Sequence, residues 1–528
     1  MANEFFKELK LEMKLDGVSW TDVTADVRAN AQYSLQYGMP GHRPTNRIAT
    51  TGRLKFSMNN SAKNSGGLRG YYSPGHINIR TGFELNVPVR LSVRAGTFYG
   101  DDKYGDFYYG ADPYYRFTGK LRRIRVIPGQ KGKRRTECTA YDFIHEMSKH
   151  KMDLLALMEN VASGTVFSNV IANMDDSPDA TSYATGIDTF PYAGDDMQDE
   201  RTTALAAARK ITISEFGYVY IKGDELTGGV LVFEDRQSRV GGTPLFTIDD
   251  DDLVSMEVNR PLDQVYNKIR TLARPREVGG SPEVLYTLQT TSLVVKAGET
   301  EVIKGRYSDP DQRSVRIAGK DLVTLVADTD FEFGSTEGAG NNDKNADLTI
   351  TVTEGATTVK FSMNNTSGAS GFVNKLQVRG TALRTFEPVE RIAEDVTSQA
   401  AYDDRELKLD LVYQDDPLVA QERATALLAA YKDPRTYIKK ITLRASRGAS
   451  ARYMSRLDVG DRITLSEDVT GISAKDYIVH LVTLNFMAPD TMEATYLLRL
   501  ATTEQAWLLG VVNYSELADT TILGGASV

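Results

Sequence analysis

A mainly β, multidomain fold with short helices is what this sequence predicts, and three observations carry the prediction. Apolar residues recur at every second position through much of the first 150 residues and again towards residue 500, the spacing that puts side chains on one face of a pleated strand. Clusters of Gly, Asn, Asp, Ser and Pro punctuate these runs, as turns require. A length of 528 residues, at about 150 per domain, gives three or four domains.

The elements follow in order. Leu9, Leu11, Met13 and Leu15 alternate with polar neighbours before a turn at Asp16 and Gly17. Leu54, Phe56 and Met58 alternate before Asn59 and Asn60. Val87, Val89, Leu91 and Val93 form a strand in which Pro88 lacks a donor, so an edge or bulged strand is expected. Leu121 to Ile127 and a return strand through Cys138 complete a β-barrel or sandwich of about 150 residues. Helical spacing then runs from Phe143 to Ala162, residues 175–200 read as a loop or linker, and a short helix over Thr203 to Lys210 precedes strands at 218–221 and 230–233.

After Pro275 come short alternating runs (Leu348, Ile350, Val352; Val359, Phe361, Met363; Leu376, Val378), which predict an inserted β-sandwich of about 105 residues. Asp416 can cap a helix that starts with Pro417 and runs to Tyr431. Strand alternation returns from Ile438 to Leu500. The hexapeptide KFSMNN occurs at 55–60 and 360–365, and unmatched flanks point to two strands converging on one strand-plus-turn chemistry rather than to a duplicated domain.

Composition narrows the function classes. One cysteine, Cys138, leaves no intramolecular disulfide framework, CxxC zinc site or cysteine-held iron–sulfur cluster. A net charge of −9 argues against a protein that coats nucleic acid, though a channel that DNA passes through stays compatible. No run approaches 18 consecutive apolar residues, and the first 17 residues lack the basic-then-apolar pattern of a leader. A soluble chain made in a cytoplasm is the expectation.

Catalytic patterns fail one by one. His145 and Glu146 open like HExxH, but His150 follows five residues after His145, about 140° round a helix. Cys138 sits mid-strand without a neighbouring His. GQKGKRR (129–135) has the wrong glycine spacing for a phosphate loop, and DDDD (249–252) and DPD (309–311) lack the Gly and distal Glu of an EF-hand. These are expected to be a basic hairpin tip and solvated turns. No carboxylate pair is singled out for glycoside hydrolysis.

Two stretches remain as candidate contact surfaces. Nine of the twenty residues in 98–117 are aromatic, against 9% for the whole chain. Tyr99, Tyr104, Phe107, Tyr108, Tyr109, Tyr114 and Tyr115, interleaved with Gly and Asp, have the chemistry of a binding loop, expected to dock on a neighbouring subunit rather than fold back on its own barrel. Removal of 100–115 is expected to abolish assembly and leave the chain folded. Lys120, Arg122, Arg123, Lys131, Lys133, Arg134 and Arg135, with Arg125, form a basic stripe that suits a solvated face, an acidic partner subunit or passing DNA.

An ordered string of motifs resembles one family. WTDVTADVR (20–28), GRLKFSMNN (52–60), YYSPGHINIRTGFELNVPVRLSV (71–93), YRFTGKLRRIRV (115–126) and CTAYDFIHEM (138–147), then VYNKIRTL (265–272), the helix at 417–431 with DPRTYIKKITL, and LDVGDRITL (457–465), resemble the tail hub and minor tail proteins of long-tailed bacteriophages. The resemblance spans about 1–275 and 385–505.

It implies two tail-tube-like β-barrels, at 1–150 and at 241–280 plus 386–510, with a helical and mixed α+β segment at 151–240, the inserted β-sandwich at 281–385 and a C-terminal tail at 511–528. It implies a structural virion protein of the tail tip or baseplate without catalytic residues, cofactor or metal. A homotrimer would adapt sixfold to threefold symmetry and line the channel for tape measure protein and DNA. The implied partners are a distal tail or tail tube protein, the tape measure protein and a downstream tip or fibre protein, with transient DNA passage and no stable membrane insertion. Only 28 residues follow Leu500, so the next tip component is expected to be another chain. The alternative is a carbohydrate-binding or carbohydrate-degrading receptor-recognition protein of the tail tip.

Overall fold

The computed structural model describes residues 5–28, 33–96, 113–129, 134–197, 200–280, 282–338, 340–445, 450–488 and 491–501. The expected mainly β, multidomain fold with short helices is what they form. One 13-stranded sheet dominates. Its path runs Leu253–Asn259, Tyr437–Arg444, Thr491–Leu500, Ile472–Ala488, Tyr33–Gly38, Thr50–Asn59, Arg135–Tyr141, Tyr114–Ile127, Pro88–Gly96, Phe5–Met13 and Thr21–Asp22, with Arg462–Glu467 and Phe246–Ile248 branching from Ile472–Ala488.

Two barrels are expected, yet no sheet closes among the described residues. The N-terminal and C-terminal strands instead meet at a seam where Tyr33–Gly38 pairs antiparallel with Ile472–Ala488, from Gly38 opposite Leu481 to Tyr33 opposite Phe486. Leu35 and Leu484 face each other there, both wholly buried, and each contributes about 2 kcal/mol by leaving water. Gly38 has a φ of 114°, and a Cβ there would strike the His480 carbonyl. The seam therefore requires glycine. A single apolar cluster runs through both halves, from Leu11, Leu54 and Leu91 to Val479, Leu484 and Leu498.

The strand through Pro88 is bulged as expected, between Leu91 and Ser92, but it is not an edge. It lies between Phe5–Met13 and Tyr114–Ile127. Pro88 is its first residue, where a missing N–H costs no interior ladder bond, and its carbonyl accepts from Lys14 N (3.0 Å).

The helix expected over Phe143 to Ala162 is three elements: helix Phe143–Lys149, strand Met158–Ala162 and helix Ser163–Ala172. The linker expected at 175–200 holds two strands. Ala180–Tyr183 pairs with Val230–Glu234, and Thr189–Ala193 with Met158–Ala162. Runs of four or five residues carry too few alternations to separate from turn chemistry. Helix Ala204–Glu215 and strand Tyr218–Lys222 complete this layer around Phe167, Phe190, Ile211 and Phe233.

VYNKIRTL and the 417–431 helix build a layer of their own. Lys268–Ala273 lies between Val389–Glu394 and Glu406–Leu411, and helix Pro417–Tyr431 packs on them through Ala420, Ala424 and Leu427. Asp416 caps that helix, accepting from Leu418 N at 2.7 Å, and Pro417 fills its first turn.

Between 276 and 385 two sheets face each other around Leu285, Phe333, Phe361 and Val378. The 15-residue strand Gly371–Thr385 is the spine of one, and Thr358–Asn365 is central in the other. In both KFSMNN copies Phe and Met are buried. The Asn turn, however, uses Asn59 with Ser61 in the first copy and Asn365 with Ser367 in the second, one position later in the hexapeptide. That shift fits local convergence.

Candidate assembly surface

Both candidate stretches reach into one strand, Tyr114–Ile127, which holds Lys120, Arg122 and Arg123 within it. Fourteen residues of extended chain span roughly 40 Å. Tyr114 and Tyr115 stand at the start, while Arg134 and Arg135 follow the turn beyond its end. Tyr99, Tyr104, Phe107, Tyr108 and Tyr109, like Lys131 and Lys133, lie outside the described residues.

At the aromatic end the chain holds itself. Tyr114 Oη donates to Gly223 O at 2.8 Å. Tyr115 exchanges backbone hydrogen bonds with Asp224, at 2.7 and 3.1 Å. The Arg90 guanidinium lies 4.4 Å from the Tyr115 ring centroid. These two tyrosines therefore belong to an internal joint.

LDVGDRITL supplies the other side of that joint. Asp458, wholly buried, accepts from Gly223 N (2.9 Å), Val459 N (2.7 Å) and Tyr114 Oη (3.3 Å) and stands 3.6 Å from Arg116 Nη1. Arg116, 1% exposed, also donates to Leu457 O at 2.9 Å. Asp461 pairs with Lys222 at 2.6 Å. Gly460 between them has a φ of 88°, and a Cβ would collide with the Tyr220 hydroxyl. The motif ties three chain regions into one polar knot that its residue types alone do not reveal.

The basic stripe depends on a β-bulge. Strict alternation from buried Leu121 would turn Arg123 and Arg125 towards the core. The register shift between Leu121 and Arg123 lets Ile124 pack on the core and leaves Arg123 and Arg125 exposed. Lys120 pairs with Asp176 (2.8 Å), Arg122 with Glu146, and Arg135 with Glu137 (2.9 Å). Three of these cations are thus partly neutralised on the chain's own surface.

A third candidate contact element, which sequence reasoning did not single out as a surface, is the connection from Asn60 to Val87. Buried Asp26 accepts from Ser65 N (2.5 Å), Ser65 Oγ (2.6 Å), Tyr72 Oη and Arg80 Nη1 (3.2 Å). Asn64 and Asn60 add bonds to Leu68 O (2.8 Å) and Ser73 Oγ (2.6 Å). This scaffold presents Ile77 at 95% exposure, with Leu68 and Leu85 also exposed. Asn60 N meets Arg134 O at 3.3 Å, so the connection starts beside the basic turn. A run of Asn and Gly around an apolar tip was the available signal.

The rejected chemistries have structural counterparts. Cys138 is buried mid-strand, and burial pushes its thiol up, away from a reactive thiolate. His145 packs on Tyr141, while His150 follows the helix end and faces Asp175 at 3.6 Å. Asp309 pairs with Arg384 at 2.7 Å, and Asp249 accepts from Asp251 N at 3.2 Å. Among the described residues no group of three His, Cys, Asp or Glu is placed to hold a metal ion, and no helix is long and apolar enough to cross a membrane.

The fold class is a mainly β chain in which N-terminal and C-terminal strands share one open sheet, with separate smaller sheets attached. Solved structures similar to it over most of their length include a tail protein from Neisseria meningitidis MC58, at 10% identity and a TM-score of 0.44, covering 93% of this chain and 95% of that one. A 43 kDa tail protein of prophage MuSo2 from Shewanella oneidensis is similar at 8% identity and a TM-score of 0.46, covering 94% and 99%. Prophage tail protein gp18 from Listeria monocytogenes EGD-e is similar at 8% identity and a TM-score of 0.40, covering 93% and 94%. No family model matches the chain. No curated protein matches it.

Proposed function

We propose that this chain is a non-catalytic hub of a phage-type tail tip, working by symmetric assembly in the virion. The observation that carries the reading is the seam between Tyr33–Gly38 and Ile472–Ala488, which makes one chain contribute two successive arcs of β-wall. Three copies then present six arcs. That is the arithmetic needed to meet a sixfold tube on one side and a threefold tip on the other. Tape measure protein and DNA pass through the ring, and a net charge of −9 suits a wall that DNA slides past.

The motif string supports the same reading, because three of its segments fall on structural joints. WTDVTADVR supplies Asp26 to the 60–87 scaffold, YRFTGKLRRIRV is the bulged strand, and LDVGDRITL is the polar knot. The outermost strand, Leu253–Asn259, is paired on one side only among the described residues, and Glu257 on it binds Lys439 (2.6 Å) and Lys440 (3.4 Å). A one-sided edge of this kind is where a neighbouring copy continues the wall. Electron microscopy of the assembled particle tests the proposal. A threefold ring of this chain beneath the tube is expected, and a peripheral fibre position or a one-copy complement overturns it.

A further inference from the structure

A cavity of about 450 Å³ opens where five chain regions converge: the 42–47 connection, Phe216 and Tyr218, the turn carrying Arg239, the end of helix Pro417–Tyr431, and the last two long strands through His480 and Arg499. Its wall is cationic out of proportion to an acidic protein. Three guanidinium carbons surround the Tyr218 ring, Arg239 at 3.7 Å, Arg47 at 4.7 Å and Arg499 at 6.0 Å from its centroid.

One carboxylate answers these three charges. Glu234 pairs with Arg239 at 2.5 Å. Arg47, 4% exposed, donates to Pro44 O (2.8 Å) and Phe216 O (2.5 Å), and Arg499 donates to Tyr431 Oη. Neither forms an ion pair among the described residues. The neighbouring Arg236 and Arg423 are paired with Asp188, each at 2.6 Å.

Donors are left over as well as charge. Arg239 Nη2 and Arg499 Nη1 are buried without a partner among the described residues, and so is His480 Nδ1. His480 is wholly buried and its Nε2 stands 3.0 Å from Arg239 Nη1. A guanidinium only donates, so Nε2 accepts and Nδ1 carries the proton. Burying cations and donors unpaired is costly unless something of opposite charge completes them.

We infer that this cavity is a binding site for a phosphate group, free or as the monoester of a small apolar body. Two uncompensated arginines match a charge near −2, and three donors from three different strands and turns suit a tetrahedral oxyanion better than a planar one. Leu427, Ala430 and Ile478 on the same wall give an ester an apolar seat. The local field agrees with this geometry: despite complete burial, the three arginines hold the Tyr218 phenol down at about 8.

Calorimetric titration of the full chain with inorganic phosphate, phenyl phosphate and benzoate, at pH 7.5 and constant ionic strength, tests the site. One-to-one saturable phosphate binding, weakened at least tenfold in Arg499→Gln, is the expected result. Tighter binding of phenyl phosphate assigns the ester, and equal or weaker binding assigns the free ion. Non-saturable heats, an unaffected variant, or benzoate binding as well as phosphate overturns the proposal. Should Arg499→Gln fail to fold, the parent protein decides alone: phosphate is expected to raise the pH at which the most acidic tyrosine ionises at 295 nm, and an unmoved titration overturns the site.

Discussion

Asp458 accepts hydrogen bonds from two chain regions while facing Arg116, and neither charge reaches solvent. Asp458→Asn leaves Arg116 buried without a counter-charge, so stability is expected to fall by ~3–5 kcal/mol, read as a lower urea midpoint. Asp142 presents the opposite situation. It is 2% exposed at the start of helix Phe143–Lys149, makes no side-chain cap hydrogen bond, and burial pushes its carboxyl up to about 7. A folded value above the unfolded one means that stability is fully present below about pH 4 and is lost as pH rises through about 7. The loss amounts to roughly 4 kcal/mol for a shift of about three units. Asp142→Asn is expected to flatten the urea midpoint between pH 4 and 8 and to exceed the parent at pH 8; an unchanged slope refutes the assignment.

At the scale of elements, helix Pro417–Tyr431 and the 60–87 connection depend on single aspartates in different ways. Asp416→Ala removes a cap worth about 1 kcal/mol, so amides in the first turn of the helix are expected to exchange about fivefold faster while the rest of the sheet is unchanged. Asp26→Ala removes the acceptor shared by Ser65, Tyr72 and Arg80, at ~2–3 kcal/mol, leaving the Tyr72 hydroxyl without its carboxylate. Limited proteolysis is expected to cut between Asn60 and Val87 in this variant and not in the parent. The capped helix could be read from Asp416, Pro417 and the apolar spacing, because capping is a contact between residues two apart. The Asp26 scaffold could not, because its partners are 39 to 54 residues away.

For the whole molecule, the joint at Tyr114 and Tyr115 changes how the aromatic stretch must be tested. Deleting 100–115 would remove hydrogen bonds to Gly223, Asp224 and Asp458 and damage the fold itself. A deletion of 100–111 spares them. Unfolding of the isolated chain is then expected to match the parent while particle assembly is lost, measured by sedimentation of assembled tails; assembly at parental yield refutes an interface role for the stretch. Strand Tyr114–Ile127 also separates this end from the basic turn by roughly 40 Å.

Local chemistry was legible from the sequence alone: which residues alternate on a strand, where Asn and Gly make turns, how Asp416 starts a helix, and why one cysteine leaves no disulfide or CxxC zinc site. Those properties depend on residues a few positions apart. The tertiary structure alone decided that the halves join through Gly38 and Leu481, that a bulge at Arg122 turns Arg123 outward, and that Arg47, Arg239 and Arg499 converge on one ring. The first and the last are pairings across a long stretch of chain. Periodicity fixes the face that a side chain takes, but only the burial of shared apolar faces selects which distant strand lies beside it.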